Sequence, residues 1–180
     1  FKNRISPIQI SWLGYCNTTG LNEMDYLITD KYLIKENEEV FYSEKIKKLE
    51  TIWNTHIGFD YTRRKIEAPS IKKNIFTFGS FNNFNKISDE TLECWMSILN
   101  KVNNSQLFLK SSTKYNLDFF NEKIIKLGIS NKIKILDPVD DLGSHLKLYD
   151  EVDLALDTFP YNGVTTTFES LWKNVPVLTL

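Results

Sequence analysis

Residues 152–180 read VDLALDTFPYNGVTTTFESLWKNVPVLTL. Two apolar runs, Val152–Leu156 and Val175–Leu180, bracket the turn Pro160-Tyr161-Asn162-Gly163 and a helical segment from near Thr165 to about Lys173. Neither run alternates apolar with polar residues, the pattern of strands covered on both faces. Strand, helix and strand at this spacing predict a parallel pair joined by a right-handed crossover.

The same alternation extends upstream. Ile75–Phe78 is a short run of strand formers closed by Gly79-Ser80 and an Asn-rich loop. Ser88-Asp89-Glu90 predicts a helix start, a hydroxyl cap followed by two acids in the first turn. Leu92, Trp95, Met96, Leu99 and Val102 then follow at helical spacing. Leu107–Leu109 is the next strand, and Leu117–Leu127 carries Leu117, Phe120, Ile124 and Leu127 before a stop at Gly128. Lys132–Leu136 reads as a strand, followed by a short helix around His145–Tyr149. Nearer the start, Ile8–Leu13 predicts a strand entering the polar loop Gly14–Gly20, and Tyr26–Thr29 another. Phe41–Leu49 reads as a short helix, and His56–Lys73, with Pro69 and several charges, as the linker. Trp12, Trp95 and Trp172 are expected to anchor cores. The lysines of Lys45–Lys48 and Lys72–Lys73 are expected on solvated surface.

Composition narrows the class. With 180 residues the chain makes one domain or two small ones, and 42% hydrophobic content is enough for a packed core. Twenty-two basic against 23 acidic residues give a net charge of −1, which argues against a nucleic-acid partner held by phosphate neutralisation. No apolar run approaches the ~20 residues of a membrane helix. Cys16 and Cys94 make no disulfide framework and suit a reducing, cytoplasmic setting. A chain that opens on Phe1 and ends inside an apolar run reads as a piece of something longer.

In parallel sheets ligands bind beyond the carboxyl ends of the strands, which selects the loops Gly79–Lys86, Asp137–Ser144 and Thr158–Thr166. The last delivers Thr165, Thr166 and Thr167 to a helix N-terminus, where unpaired N–H groups and the helix dipole favour an anion. Glu169, about a turn further on, is placed to accept hydrogen bonds from ribose hydroxyls. The same spacing also fits a threonine N-cap with Glu169 in a capping box. In the first loop Lys86 is a compact charge able to neutralise a phosphate, beside neutral amide donors; a solvated surface loop fits as well. His145 is a third candidate, with a structural histidine as the plain alternative. Two distant histidines and two distant cysteines give no metal-ligand spacing, and no Asp-x-Asp occurs. Walker A, Gly-x-Gly-x-x-Gly and Gly-x-Ser-x-Gly patterns are also missing from the sequence. The residues alone thus predict a Rossmann-like domain that binds a phosphorylated ligand without metal.

Several co-linear motifs carry a resemblance. They are Gln9-Ile10-Ser11-Trp12-Leu13-Gly14-Tyr15 with Thr18-Thr19-Gly20, Met24-Asp25-Tyr26, Ile28-Thr29-Asp30 and Tyr42-Ser43-Glu44-Lys45. Phe81-Asn82-Asn83 with Lys86-Ile87 follows, then Leu156 through Gly163, Thr165-Thr166, Leu171-Trp172 and Val175-Pro176. In this order and spacing the chain resembles the O-linked N-acetylglucosamine transferase/SPINDLY family of glycosyltransferases.

The resemblance implies an α/β fold of GT-B type, made of parts of two Rossmann-like domains with parallel sheets. Residues 1–70 would end the N-terminal half, and 71–180 would begin the half that binds the nucleotide-sugar. It further implies that Lys86 contacts the donor diphosphate with Asn83 beside it, and that Thr165 and Thr166 bind phosphate. Glu169 would bind the ribose, and His145 would pack near the nucleoside. The implied reaction is an inverting, metal-independent transfer of N-acetylglucosamine from UDP-GlcNAc to Ser or Thr hydroxyls of proteins, with no cofactor. Acceptor-side histidines and tetratricopeptide repeats would lie upstream, and this piece alone would be inactive. Leu142 stands where the resemblance puts a lysine near the base in animal relatives, and Val164 where it puts a histidine, which implies base and ribose recognition unlike theirs. Transfer from GDP-fucose or UDP-glucose, a nucleotide-sugar epimerase and a non-catalytic nucleotide-binding domain are the alternatives.

Overall fold

Every strand pair among the described residues is parallel. The computed structural model describes residues 2–60, 67–110, 117–126, 128 and 131–180. The chain divides into two compact units, residues 1–57 and 58–180. They part at Ile57, near the start of the expected linker. Pro69–Lys73 is itself a short helix, α1, belonging to the second unit. Residues 61–66 of that linker and Leu127 of the expected third helix lie outside the described residues.

The first unit carries a three-stranded sheet, β1 (Ile10–Ser11), β2 (Tyr26–Asp30) and β3 (Lys45–Leu49), in the order β1-β2-β3. β3 corrects the helix expected over Phe41–Leu49: a 3-10 turn ends at Phe41, and Lys45 to Leu49 pair with Tyr26 to Asp30. Phe41 and Leu49 lie two helical turns apart, but backbone pairing along β2 outweighs that weak periodicity. The lysines of β3 suit an edge strand, where charge discourages further pairing. Trp12 is a second correction. It is half exposed, and its indole Nε1 donates to Trp53 O at 3.1 Å. The Gly14–Gly20 loop is fastened by Glu44, which is buried. Its carboxylate accepts from Thr18 Oγ1 (2.7 Å), Thr19 N (2.7 Å) and Thr19 Oγ1 (2.5 Å).

The second unit holds β4 (Phe76–Ser80), β5 (Ser105–Lys110), β6 (Ile133–Leu136), β7 (Leu154–Leu156) and β8 (Val177–Leu178) in one sheet, ordered β6-β5-β4-β7-β8. Its helices are α2 (Asp89–Lys101), α3 (Leu117–Lys126), α4 (Leu142–Leu148) and α5 (Thr165–Trp172). The helix starts follow local chemistry. Ser88 Oγ accepts from Thr91 N at 3.2 Å, and Asp141 accepts from Ser144 N at 2.8 Å. Strand alternation feeds two cores. Phe78, Leu107, Leu109 and Leu156 pack with Trp95 and Leu99 of α2 and with Phe120 and Ile124 of α3. Ala155 packs instead with Phe81, Leu146, Tyr149 and Val152, with Phe108 and Leu136 alongside. Gly79 matters here, because a Cβ would come within 2.7 Å of Val152 Cγ2 and push that segment off β4.

The last run departs from expectation. β8 is an edge strand, with Leu178 exposed and Val177 half-buried, so among the described residues nothing covers it on both faces. The strand order reverses between β4 and β7: the chain runs from β4 outward to β5 and β6, then returns to the other side of β4 as β7 and β8. A crevice beyond such a switch point is where open α/β sheets bind ligands.

Candidate functional site

Two loops leave the switch point. Residues 81–86 follow β4 and residues 157–164 follow β7, the latter running into α5. Asp157 organises the second loop. Its Oδ1 accepts from Gly163 N (2.7 Å) and Thr158 N (2.9 Å), and its Oδ2 from Asn162 Nδ2 (3.1 Å) and Thr179 Oγ1 (2.9 Å). Thr158 Oγ1 donates to Tyr161 O at 2.6 Å, and Thr91 Oγ1 at the start of α2 donates to Phe159 O at 2.8 Å. The loop is thereby held in one conformation before any ligand arrives, the preorganisation that electrostatic binding sites need.

The N-terminus of α5 is open. Its N-cap is Val164, without a side-chain cap, so the capping box allowed by the Thr and Glu spacing does not form. Thr165 is exposed at the first helical position. Thr166 Oγ1 donates to Asn82 Oδ1 at 3.0 Å, and Asn82 Nδ2 lies 3.5 Å from Asp157 Oδ1. Asn82 is buried and joins the two loops, whereas Asn83 faces solvent and caps its own turn by accepting from Asn85 N at 3.0 Å. Nothing in the sequence separates these adjacent asparagines. Gly163 sits against the same cluster: a Cβ there would collide with Thr166 Oγ1 and come within 2.7 Å of Asn82 Oδ1.

Lys86 reaches the second loop from the first. Its Nζ donates to Asn162 O at 3.2 Å and lies 4.3 Å from the centroid of the Tyr161 ring. Burial pulls its pKa below the ordinary lysine value, and the Asp157 carboxylate partly opposes that. Below these loops is a small cavity of about 10 Å³, lined in part by Ser80, Asn82, Thr166 and Ser170. That is room for about one water. A nucleotide would therefore lie outside it, on the open strand ends.

Glu169 lies one turn along α5 from Thr165 and Thr166, on the same helical face. It is buried, and its Oε2 pairs with His145 Nε2 at 2.9 Å and accepts from Tyr149 OH at 2.8 Å. Facing a carboxylate, which only accepts, Nε2 is the donor of this pair. Nδ1 is buried and makes no hydrogen bond among the described residues. His145 and Tyr149 are four residues apart on one helical face, the one signal in the sequence for this pairing. Burial and the adjacent Glu169 raise the Tyr149 pKa well above its usual value. Lys110, at the end of β5, is buried as well. Burial holds its pKa below the ordinary lysine value, and the Glu169 charge partly opposes that. No sequence pattern marked Lys110.

The structure thus gathers Lys86, Thr166 and the open turn at Thr165 around one edge, with His145 and Glu169 paired beside it. Among the described residues no cluster of three His, Cys, Asp or Glu side chains could hold a metal ion. No helix among them is long and apolar enough to cross a membrane.

Comparison with known proteins places this architecture. The sequence profile of glycosyl transferase family 41 matches residues 1–67 and 57–180. The chain belongs to glycosyl transferase family 41. Relatives of this family-41 chain include the protein of Hordeum vulgare named "Probable UDP-N-acetylglucosamine--peptide N-acetylglucosaminyltransferase SPINDLY". It is 35% identical over 98% of this chain and 19% of the relative, so the chain spans about a fifth of that protein's length. Among solved structures, the K341M mutant of the Thermobaculum terrenum O-GlcNAc transferase matches with a TM-score of 0.82 and 29% identity. That match covers 97% of this chain and 33% of the other. WaaG, a glycosyltransferase involved in lipopolysaccharide biosynthesis, matches with a TM-score of 0.54 and 16% identity, over 91% of this chain and 46% of its own. At that identity the likeness concerns the fold, which is α/β of GT-B type.

Proposed function

We propose that the protein containing this chain transfers N-acetylglucosamine from UDP-GlcNAc to Ser or Thr hydroxyls of protein acceptors, with inversion and without a metal ion. The observation that carries this reading is the convergence of Lys86 and the open first turn of α5 on one switch point of a family-41 chain. The acceptor hydroxyl attacks the anomeric carbon as the bond to the diphosphate oxygen breaks, and negative charge collects on the departing nucleoside diphosphate. Lys86, the Thr165 hydroxyl and the unpaired N–H groups of α5 are the fixed donors for that charge. Asn82 holds Thr166 in place, Asn83 stands at the rim beside Lys86, Glu169 takes the ribose hydroxyls, and His145 lies against the nucleoside. The second unit is then the nucleotide-sugar-binding half and the first unit part of the other. The full protein works in the cytoplasm on protein substrates selected by tetratricopeptide repeats, and it needs no cofactor.

Calorimetric titration of UDP and GDP into the full-length protein, without added metal, tests the donor. UDP binding with GDP excluded is the expected result. Preference for GDP would overturn the donor and point to fucosyl transfer, with Leu142 and Val164 the first residues to exchange. Binding of neither nucleotide would overturn the site.

A further inference from the structure

Tyr161 is a large aromatic residue left 44% exposed in the turn after β7, outside both core clusters. Its ring face meets the Lys86 ammonium, with 4.3 Å from Nζ to the centroid. The carbonyl of the next residue, Asn162, accepts from the same Nζ at 3.2 Å. Among the described residues no carboxylate forms an ion pair with Lys86. Asp157, the acid that acts on it, spends its oxygens on Gly163 N, Thr158 N, Asn162 Nδ2 and Thr179 Oγ1.

A lysine stem is flexible, and a carboxylate paired with it would offset its charge. An aromatic face behaves differently. It attracts an ammonium through its quadrupole but does not neutralise it. A ring and a carbonyl therefore hold Lys86 in place while its charge remains available to an incoming anion.

We propose that Tyr161 is a positioning residue that holds the Lys86 ammonium at the edge where the donor diphosphate binds. The proposal rests on the reading of Lys86 as the diphosphate contact. Tyr161 adds no hydrogen bond to the ligand; it fixes where the Lys86 charge stands.

The test compares UDP with uridine in the full-length protein, by calorimetry for UDP and ligand-observed NMR for uridine. Tyr161→Ala is expected to weaken UDP about two- to fivefold, the range of an exposed cation–π contact, and to leave uridine affinity unaltered. Tyr161→Phe restores UDP affinity, because the ring face remains. Lys86→Ala, measured in parallel, weakens UDP about ten- to a hundredfold. Equal weakening of UDP and uridine by Tyr161→Ala would mean a merely structural turn residue and overturn the proposal. If Lys86→Ala weakens UDP and Tyr161→Ala does not, the positioning role alone fails. If Lys86→Ala has no effect, the diphosphate reading fails, and this proposal with it.

Discussion

Gly163 is the most exacting residue of the site, because its missing side chain makes room for two others. The Asn82 amide and the Thr166 hydroxyl occupy the space a Cβ would fill, and Asp157 Oδ1 is 3.1 Å from that point. Gly163→Ala must therefore displace part of the bridge between the loops, while the sheet and both cores stay as they are. Overpacking of this kind costs on the order of 1–3 kcal/mol, and here most of it falls on the bound geometry. We expect UDP affinity to drop about tenfold or more with little change in far-ultraviolet circular dichroism; calorimetry on the purified variant checks it. Asn82 makes the complementary point. The family resemblance set Asn83 beside Lys86, and its buried neighbour Asn82 joins the loops, because the chain direction at the end of β4 decides which amide turns inward.

Among the elements, the Gly14–Gly20 loop and β3 depend on Glu44. Burial would raise the carboxyl pKa, but hydrogen bonds from the Thr19 hydroxyl, the Thr18 hydroxyl and the Thr19 amide lower it from 4.5 to about 2. A carboxylate depressed in the folded state contributes stability that is complete above the unfolded value and is lost as the pH falls through the folded one. The first unit should therefore lose stability as the pH drops from 4.5 toward 2. Thermal unfolding across that window should show the loss, and Glu44→Gln should flatten it. A residual slope should remain from Asp25, which the Arg4 guanidinium also holds at about 2. Elements differed in how plainly the sequence showed them. The helix α2 declared itself through the Ser88 cap and its apolar face, since both signals lie within a few residues. β3 did not, because a lysine-rich edge strand owes its conformation to the backbone of β2 alongside it.

Across the whole molecule, the proposed reaction stabilises a departing diphosphate with one lysine, a helix N-terminus and neutral donors, and this makes a claim about metals. Turnover of UDP-GlcNAc by the full-length protein should be the same with and without EDTA. A loss on chelation that magnesium or manganese restores would overturn the metal-free mechanism. The alternation of strands and helices, the parallel sheet and the three candidate loops were all legible in the sequence, because periodicity and turn residues act over about a dozen positions. The site's partnerships were not. Thr166 meets Asn82 across 84 residues of chain and Lys86 meets Asn162 across 76. His145 and Glu169 meet across 24. Local propensity determined where each helix begins and which loops lie at the strand ends. Only the tertiary structure, by placing β4 beside β7 in the sheet, decided which side chains from those loops face one another.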